Sequence, residues 1–267
     1  MKHSFACALS LILACAAARS AEPAGEALTI EGADGWKLHG TLFLPADVPR
    51  ENDRPRPAAL VICHPMLSKT QVTYAPLVPK LLERGFAVLV YDPRGHGLST
   101  TGMDGKARPD WQAHMEDDKE HLAFWAGLVD DLARVKAYAV ERWKVPPKKI
   151  VLAGASVGAN AVLALAVKDP DLGAAVLLSP GANYRGLDSL ALGPQVAVPL
   201  FVAAGGQDAS SKATPETIYT QAEKIALEHR TLKRYPGSEH GTNLFAAYPE
   251  LLDDLPRWLG ERLLSGK

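Results

Sequence analysis

Ser156 lies in Gly154-Ala155-Ser156-Val157-Gly158, between the apolar run KKIVLAGA and a second apolar run, VGANAVLALAV. A serine hydroxyl is a weak nucleophile; it needs a base within hydrogen-bond reach, and the base needs an orienting acid. The two glycines meet a steric demand, because a residue held in a sharp strand-to-helix turn has strained dihedrals and needs small neighbours two positions away. Such a turn lifts the hydroxyl above the sheet, and the following helix N-terminus favours developing negative charge. By itself Gly-x-Ser-x-Gly carries little weight, since both residue types are common. The strand-like run before it and the helix-like run after it supply the missing context.

The base and the acid come later in the chain, each just past another strand-like run. PLFVAAGGQD ends on Asp208, and TLKRYPGSEHG presents His240. Glu239 and Asp188 are the other carboxylates open to a partnership with the histidine. Ser, Asp and His in this order and placement resemble the α/β-hydrolase superfamily, in its serine esterase, lipase and peptidase branch, over roughly residues 28–264. Asp92 to Ser99, DPRGHGLS, is similar to the family's loop after its fourth strand.

The resemblance implies an oxyanion hole built from the Val157 amide and an amide of the loop after the third strand. That loop reads Cys63-His64-Pro65-Met66-Leu67, with Pro65 where the family commonly has glycine. Proline has no N–H, so Met66 becomes the second donor and Leu67 the fallback. His64 is expected to brace this loop, and Arg94 and His96 to fix theirs. The implied chemistry is acyl transfer to water without cofactor or metal, on a small-molecule carboxylic ester. An amide or peptide substrate, an acyltransferase, and an inactive hydrolase-fold binding protein are the alternatives; three intact reactive residues argue against the last.

Ser179 to Pro199 leaves about twenty residues after the sixth strand of the family pattern, too few for a helical lid. An open site follows. Leu67, Trp111, Asn183 and Tyr184, with Met66 and Leu187, stand open between substrate wall and ordinary surface packing. The stretch Thr100–Met115 carries no signal that says whether it folds over the site.

The elements that position these residues alternate. A strand pair over 27–31 and 36–44 turns at Asp34-Gly35, and the Pro-rich segment 45–57 reads as an exposed connection. Strand-like runs follow at Ala58–Cys63, Phe86–Tyr91, Lys149–Ala155, Ala174–Ser179, Pro199–Ala204 and Thr231–Tyr235. Helices are expected over 74–84, ending at Gly85, and over 116–143, 157–167, 216–228 and 246–264. In 116–143, Leu122, Trp125, Val129, Leu132, Val135 and Ala139 form an apolar stripe, and Asp130 and Asp131 read as its polar face. His229 reads as a solvated helix end. The fold class is α/β, a doubly wound, mostly parallel sheet flanked by helices.

The whole chain has 267 residues, 47% hydrophobic and 22% charged, with a formal net charge of −1. That suits one α/β domain over 25–267 and gives no basic surface for nucleic acid. Residues 1–21 differ: Lys2 precedes an apolar run from Phe5 to Ala18, about 21 Å of helix against a hydrocarbon core of about 30 Å. A signal peptide is expected, and hence export to the periplasm or medium. Cleavage after Ala16-Ala17-Ala18 competes with a lipobox at Ile12-Leu13-Ala14-Cys15; only lipidation of Cys15 would bring a membrane into play. Beyond Cys7 and Cys15 there is Cys63 alone, ending an apolar run and expected to be a buried, inert thiol. No motif addresses the oligomeric state.

Overall fold

The computed structural model describes residues 23–116 and 118–264. The expected leader over residues 1–21, with Cys7 and Cys15, lies outside them. Thirteen strands occur among the described residues: β1 (Gly25–Glu31), β2 (Trp36–Phe43), β3 (Arg50–Glu51), β4 (Arg54–Pro55), β5 (Leu60–His64), β6 (Ala87–Tyr91), β7 (Thr101–Gly102), β8 (Ile150–Ala155), β9 (Ala174–Leu178), β10 (Asn183–Tyr184), β11 (Leu187–Asp188), β12 (Leu200–Gly205) and β13 (Arg230–Tyr235). The α-helices are α1 (Val78–Glu83), α2 (Lys119–Trp143), α3 (Val157–Lys168), α4 (Ser189–Leu192), α5 (Thr214–Gln221), α6 (Leu244–Ala247) and α7 (Leu251–Leu263).

Nine strands form the central sheet, in the order β1-β2-β6-β5-β8-β9-β12-β13, with β7 paired to β2. From β6 to β13 every pairing is parallel; β1 and β2 continue the edge antiparallel. The β1–β2 turn uses left-handed Asp34 (φ 54°) and Gly35 (φ 70°), as the Asp-Gly pair requires.

The apolar runs are continuous because both sheet faces are covered. Leu60, Ile62, Leu89, Tyr91 and Leu152 pack with Trp125, Leu132 and Val162 of α2 and α3. Their chain neighbours Val61, Cys63, Val88, Val90 and Val151 pack on the other side with Leu81 of α1 and Leu255 and Leu259 of α7. Cys63 is buried, and burial pushes its thiol pKa up. Helix α3 is buried along all of Val157–Ala166, which explains a sequence apolar all round.

Several elements depart from the sequence reading. The helix expected over 246–264 is broken into α6 and α7 at Tyr248-Pro249, because the proline disfavours helical dihedrals in the residue before it; Tyr248 sits at φ −131°, ψ 77°. The helix over 216–228 ends at Gln221, and Ile225 reaches the core from a turn. The segment over 74–84 begins as a 3-10 turn, Gln71–Tyr74, and Gly85 follows α1 at φ 87°. The connection 45–57 contains the hairpin β3–β4.

Asp131 corrects the expectation of a polar face. It is fully buried, and its carboxylate takes the Arg94 guanidinium on both oxygens, Nε at 2.7 Å and Nη2 at 2.8 Å. The Ala33 amide donates to the same carboxylate at 2.8 Å. Asp130 beside it is exposed.

Candidate active site

The sheet order reverses at β5 and β8: the chain steps from β5 outward to β6, then returns to place β8 on the other flank of β5. In such sheets ligands bind beyond the carboxyl ends of the strands at this switch point. The loops that leave β5, β8, β9, β12 and β13 at that edge carry Met66, Ser156, Ser179, Asp208 and His240.

Ser156 joins β8 to α3 at φ 53° and ψ −122°, strained dihedrals for a side chain with a Cβ. The Leu178 carbonyl accepts its N–H at 2.8 Å, and its own carbonyl accepts the first helical bonds from Ala159 and Asn160. Its hydroxyl makes no cap bond to α3, and the residue is partly exposed. The flanking glycines are required by close approach. A Cβ on Gly154 would lie 2.2 Å from the Gly158 carbonyl oxygen, and one on Gly158 would lie 2.5 Å from the His64 oxygen and 2.6 Å from the Pro65 oxygen.

Asp208 is buried and accepts four hydrogen bonds. Oδ2 takes the His240 Nδ1–H at 2.7 Å and the Ser211 hydroxyl at 2.7 Å; Oδ1 takes the Ser210 amide at 3.0 Å and the Ser211 amide at 3.4 Å. Burial alone would raise its pKa, but the hydrogen bonds from His240 and Ser211 outweigh it and hold the carboxyl below its usual range. A carboxylate only accepts, so His240 donates from Nδ1, and in the neutral ring this leaves Nε2 as the accepting nitrogen. The alternative carboxylates are engaged elsewhere. Glu239 accepts the Tyr248 hydroxyl at 2.8 Å, and Asp188 caps α4 through the Leu190 and Ala191 amides.

The histidine loop is fastened to the loop after β9. Gly241, at φ 59°, donates its amide to the buried Ser179 hydroxyl at 2.9 Å. A Cβ there would stand 3.5 Å from Ala155 Cβ and 2.7 Å from Met66 Sδ. The residue after His240 thus abuts both the residue before Ser156 and the loop after β5. Val157 and Met66 are buried, and among the described residues neither amide donates to a protein acceptor. For Val157 the cause is its place in the first turn of α3, where no carbonyl lies one turn back.

The proposed wall residues divide. Leu67, Trp111 and Tyr184 are half-buried and pack against the core. Trp111 stacks on His96 at 5.8 Å, and Tyr184 meets the Trp125 ring edge-on at 5.2 Å. Asn183 is exposed and its side-chain Oδ1 closes the β10–β11 turn by accepting the Gly186 amide at 3.1 Å. The β9–β12 connection holds this hairpin, the one-turn helix α4 and a 3-10 turn at Gly193–Gln195, too little to form a helical lid. Ser179, Ser211 and Asn160 carry no motif in the sequence. The last is buried in α3 and fastens the loop after β9 by bonds to both groups of Gly181 and to the Leu187 carbonyl. One polar side chain in the apolar run VGANAVLALAV was its only signal.

Comparison with known proteins agrees with the fold. A family model described as serine aminopeptidase, S33, matches residues 54–192. An uncharacterized protein of Mycobacterium tuberculosis is 28% identical over 271 residues, spanning 94% of this chain and 84% of its own. A Pyrococcus furiosus esterase superposes with a TM-score of 0.67 at 17% identity, over 90% of this chain and 93% of that one. Dienelactone hydrolase from Anabaena variabilis superposes at 0.63 and 17% identity, over 91% and 98%; at such identities the likeness is one of fold. The family match covers just over half of the chain and includes the strained serine at the switch point: the protein belongs to the serine aminopeptidase S33 family of α/β hydrolases.

Proposed function

We propose that the protein is a serine hydrolase that cleaves a carboxylic ester of a small molecule through an acyl-enzyme. The observation that carries this reading is the 2.7 Å bond from His240 Nδ1 to Asp208 Oδ2 on the same sheet edge as the strained Ser156. In the first step Ser156 Oγ attacks the ester carbonyl carbon while its proton passes to His240 Nε2. Asp208 holds the imidazole in the accepting tautomer and stabilises the imidazolium. The carbonyl oxygen becomes an oxyanion that the Val157 and Met66 amides receive. Collapse expels the alcohol with the proton from His240. Water, deprotonated by the same Nε2, then attacks the acyl carbon and frees the acid and Ser156.

The esterases among the structural relatives support an ester, whereas the family description supports a peptide or amide as the second reading. Assays with p-nitrophenyl esters of increasing chain length, beside aminoacyl p-nitroanilides, separate the two. Fluorophosphonate is expected to label the parent protein and not Ser156→Ala. Equal labelling of both would remove Ser156 from the mechanism.

A further inference from the structure

His64 ends β5 immediately before Pro65, at the position where the oxyanion loop begins. Its ring is buried, 1% exposed, with Nδ1 3.0 Å from the carbonyl oxygen of Pro65. A carbonyl oxygen only accepts, so the ring must donate from Nδ1. Burial drives the His64 pKa down to about 4, so at neutral pH the ring carries one proton and Nε2 is bare. The backbone of the same residue is held from the other side, since the Tyr74 hydroxyl donates to the His64 carbonyl at 3.1 Å.

The carbonyl that His64 grips belongs to the Pro65–Met66 peptide. This peptide is trans, so its C=O and its N–H point in opposite directions. Fixing the oxygen toward the His64 ring and the first turn of α3 therefore fixes where the Met66 N–H points. A hydrogen bond received at the carbonyl also polarises the amide and makes its N–H a better donor. Pro65 gives the arrangement its need: it has no N–H, so the loop cannot tie itself there, and the preceding side chain performs the task.

We infer that His64 is a positioning residue for the oxyanion hole, its Nδ1–H clasping the Pro65 carbonyl so that the Met66 amide faces the reacting centre. The inference rests on the serine-hydrolase reading above, and on the Met66 amide being one of its two oxyanion donors. His64 exchanges no proton with substrate.

The test uses the full chain and three substitutions at one position. In His64→Asn the side-chain amide nitrogen takes the place of Nδ1; in His64→Gln it takes the place of Nε2; His64→Leu fills the space without a donor. Because losing an oxyanion donor costs about a hundredfold or more in kcat, misdirecting one is expected to lower kcat about thirtyfold in the Gln and Leu variants, with KM within about threefold. His64→Asn is expected to recover most of that loss. A residue that merely fills the core would rank Leu at or above Asn, and that ranking overturns the inference, as does an effect confined to KM. Nitrogen NMR of the parent protein is an arm independent of turnover and of variant folding: a proton on His64 Nδ1 is expected, and one on Nε2 overturns the clasp. A parent protein inert toward both fluorophosphonate and esters would sink the hydrolase reading, while the tautomer would still decide whether the clasp exists.

Discussion

A neutral imidazole has one N–H, and the side on which it donates decides which nitrogen is left to act as a base. Asp208 settles that for His240, and Ser211 and the amides of residues 210 and 211 settle the carboxylate in turn. Asp208→Asn is therefore expected to lower kcat on p-nitrophenyl butyrate at least about a hundredfold, with an unchanged circular dichroism spectrum. Glu239→Gln and Asp188→Asn, whose carboxylates serve Tyr248 and α4, are expected to stay within about threefold by the same measure. A reversed ranking would hand the acid's role to one of those two. Asp208 was readable as a carboxylate just past a strand. Ser211 was not, because its hydroxyl reaches Oδ2 only after residues 208–211 turn back on themselves.

The elements carry a demand that single residues do not show. β5, the loop after it and the start of α3 meet at Gly158 with no room for a methyl group, and the colliding atoms are the backbone oxygens of His64 and Pro65 and the buried His64 Nδ1. Gly158→Ala is expected to push the 64–66 loop away from Ser156 and cut kcat about a hundredfold or more, with the fold kept. Unchanged turnover and unchanged fluorophosphonate labelling would show that the loop and helix move apart without consequence. The glycine was legible as part of Gly-x-Ser-x-Gly, but the partner it makes room for was not. The same holds for the helix ends. Pro249 lies inside the expected 246–264 helix, and the non-helical dihedrals of Tyr248 before it set the break.

Across the whole molecule, the Arg94–Asp131 pair ties the loop after β6, helix α2 and the β1–β2 turn together in a buried place. Removing one partner strands the other charge. Asp131→Ala is expected to lower folding stability by about 3–5 kcal/mol in urea unfolding, whereas the double change Arg94→Met with Asp131→Leu is expected to lose much less. Equal losses would mean that the pair stabilises by more than mutual neutralisation. Among the described residues no helix is long and apolar enough to cross a membrane. We propose that the chain is exported, from the Lys2 and Phe5–Ala18 pattern. Mass spectrometry of envelope fractions is expected to show an N-terminus near residues 19–22, or a lipidated Cys15; an intact Lys2 on active protein from the cytoplasm would refute export.

The alternation of strands and helices, the strained turn at Ser156 and the placing of Asp208 and His240 just past later strands were written locally, because continuous apolar runs, glycine spacing and strand ends are properties of neighbours in the chain. Tertiary structure alone decided which carboxylate meets His240, that Asp131 is buried against Arg94 rather than solvated, and that Ser179 and Asn160 hold loops around Ser156. Each of these is a contact between segments brought together by the fold, separated by up to 62 residues in the case of Ser179 and Gly241. A side chain's type states what it can donate or accept. Only the packing of strands that are neighbours in space and distant in sequence states what it meets.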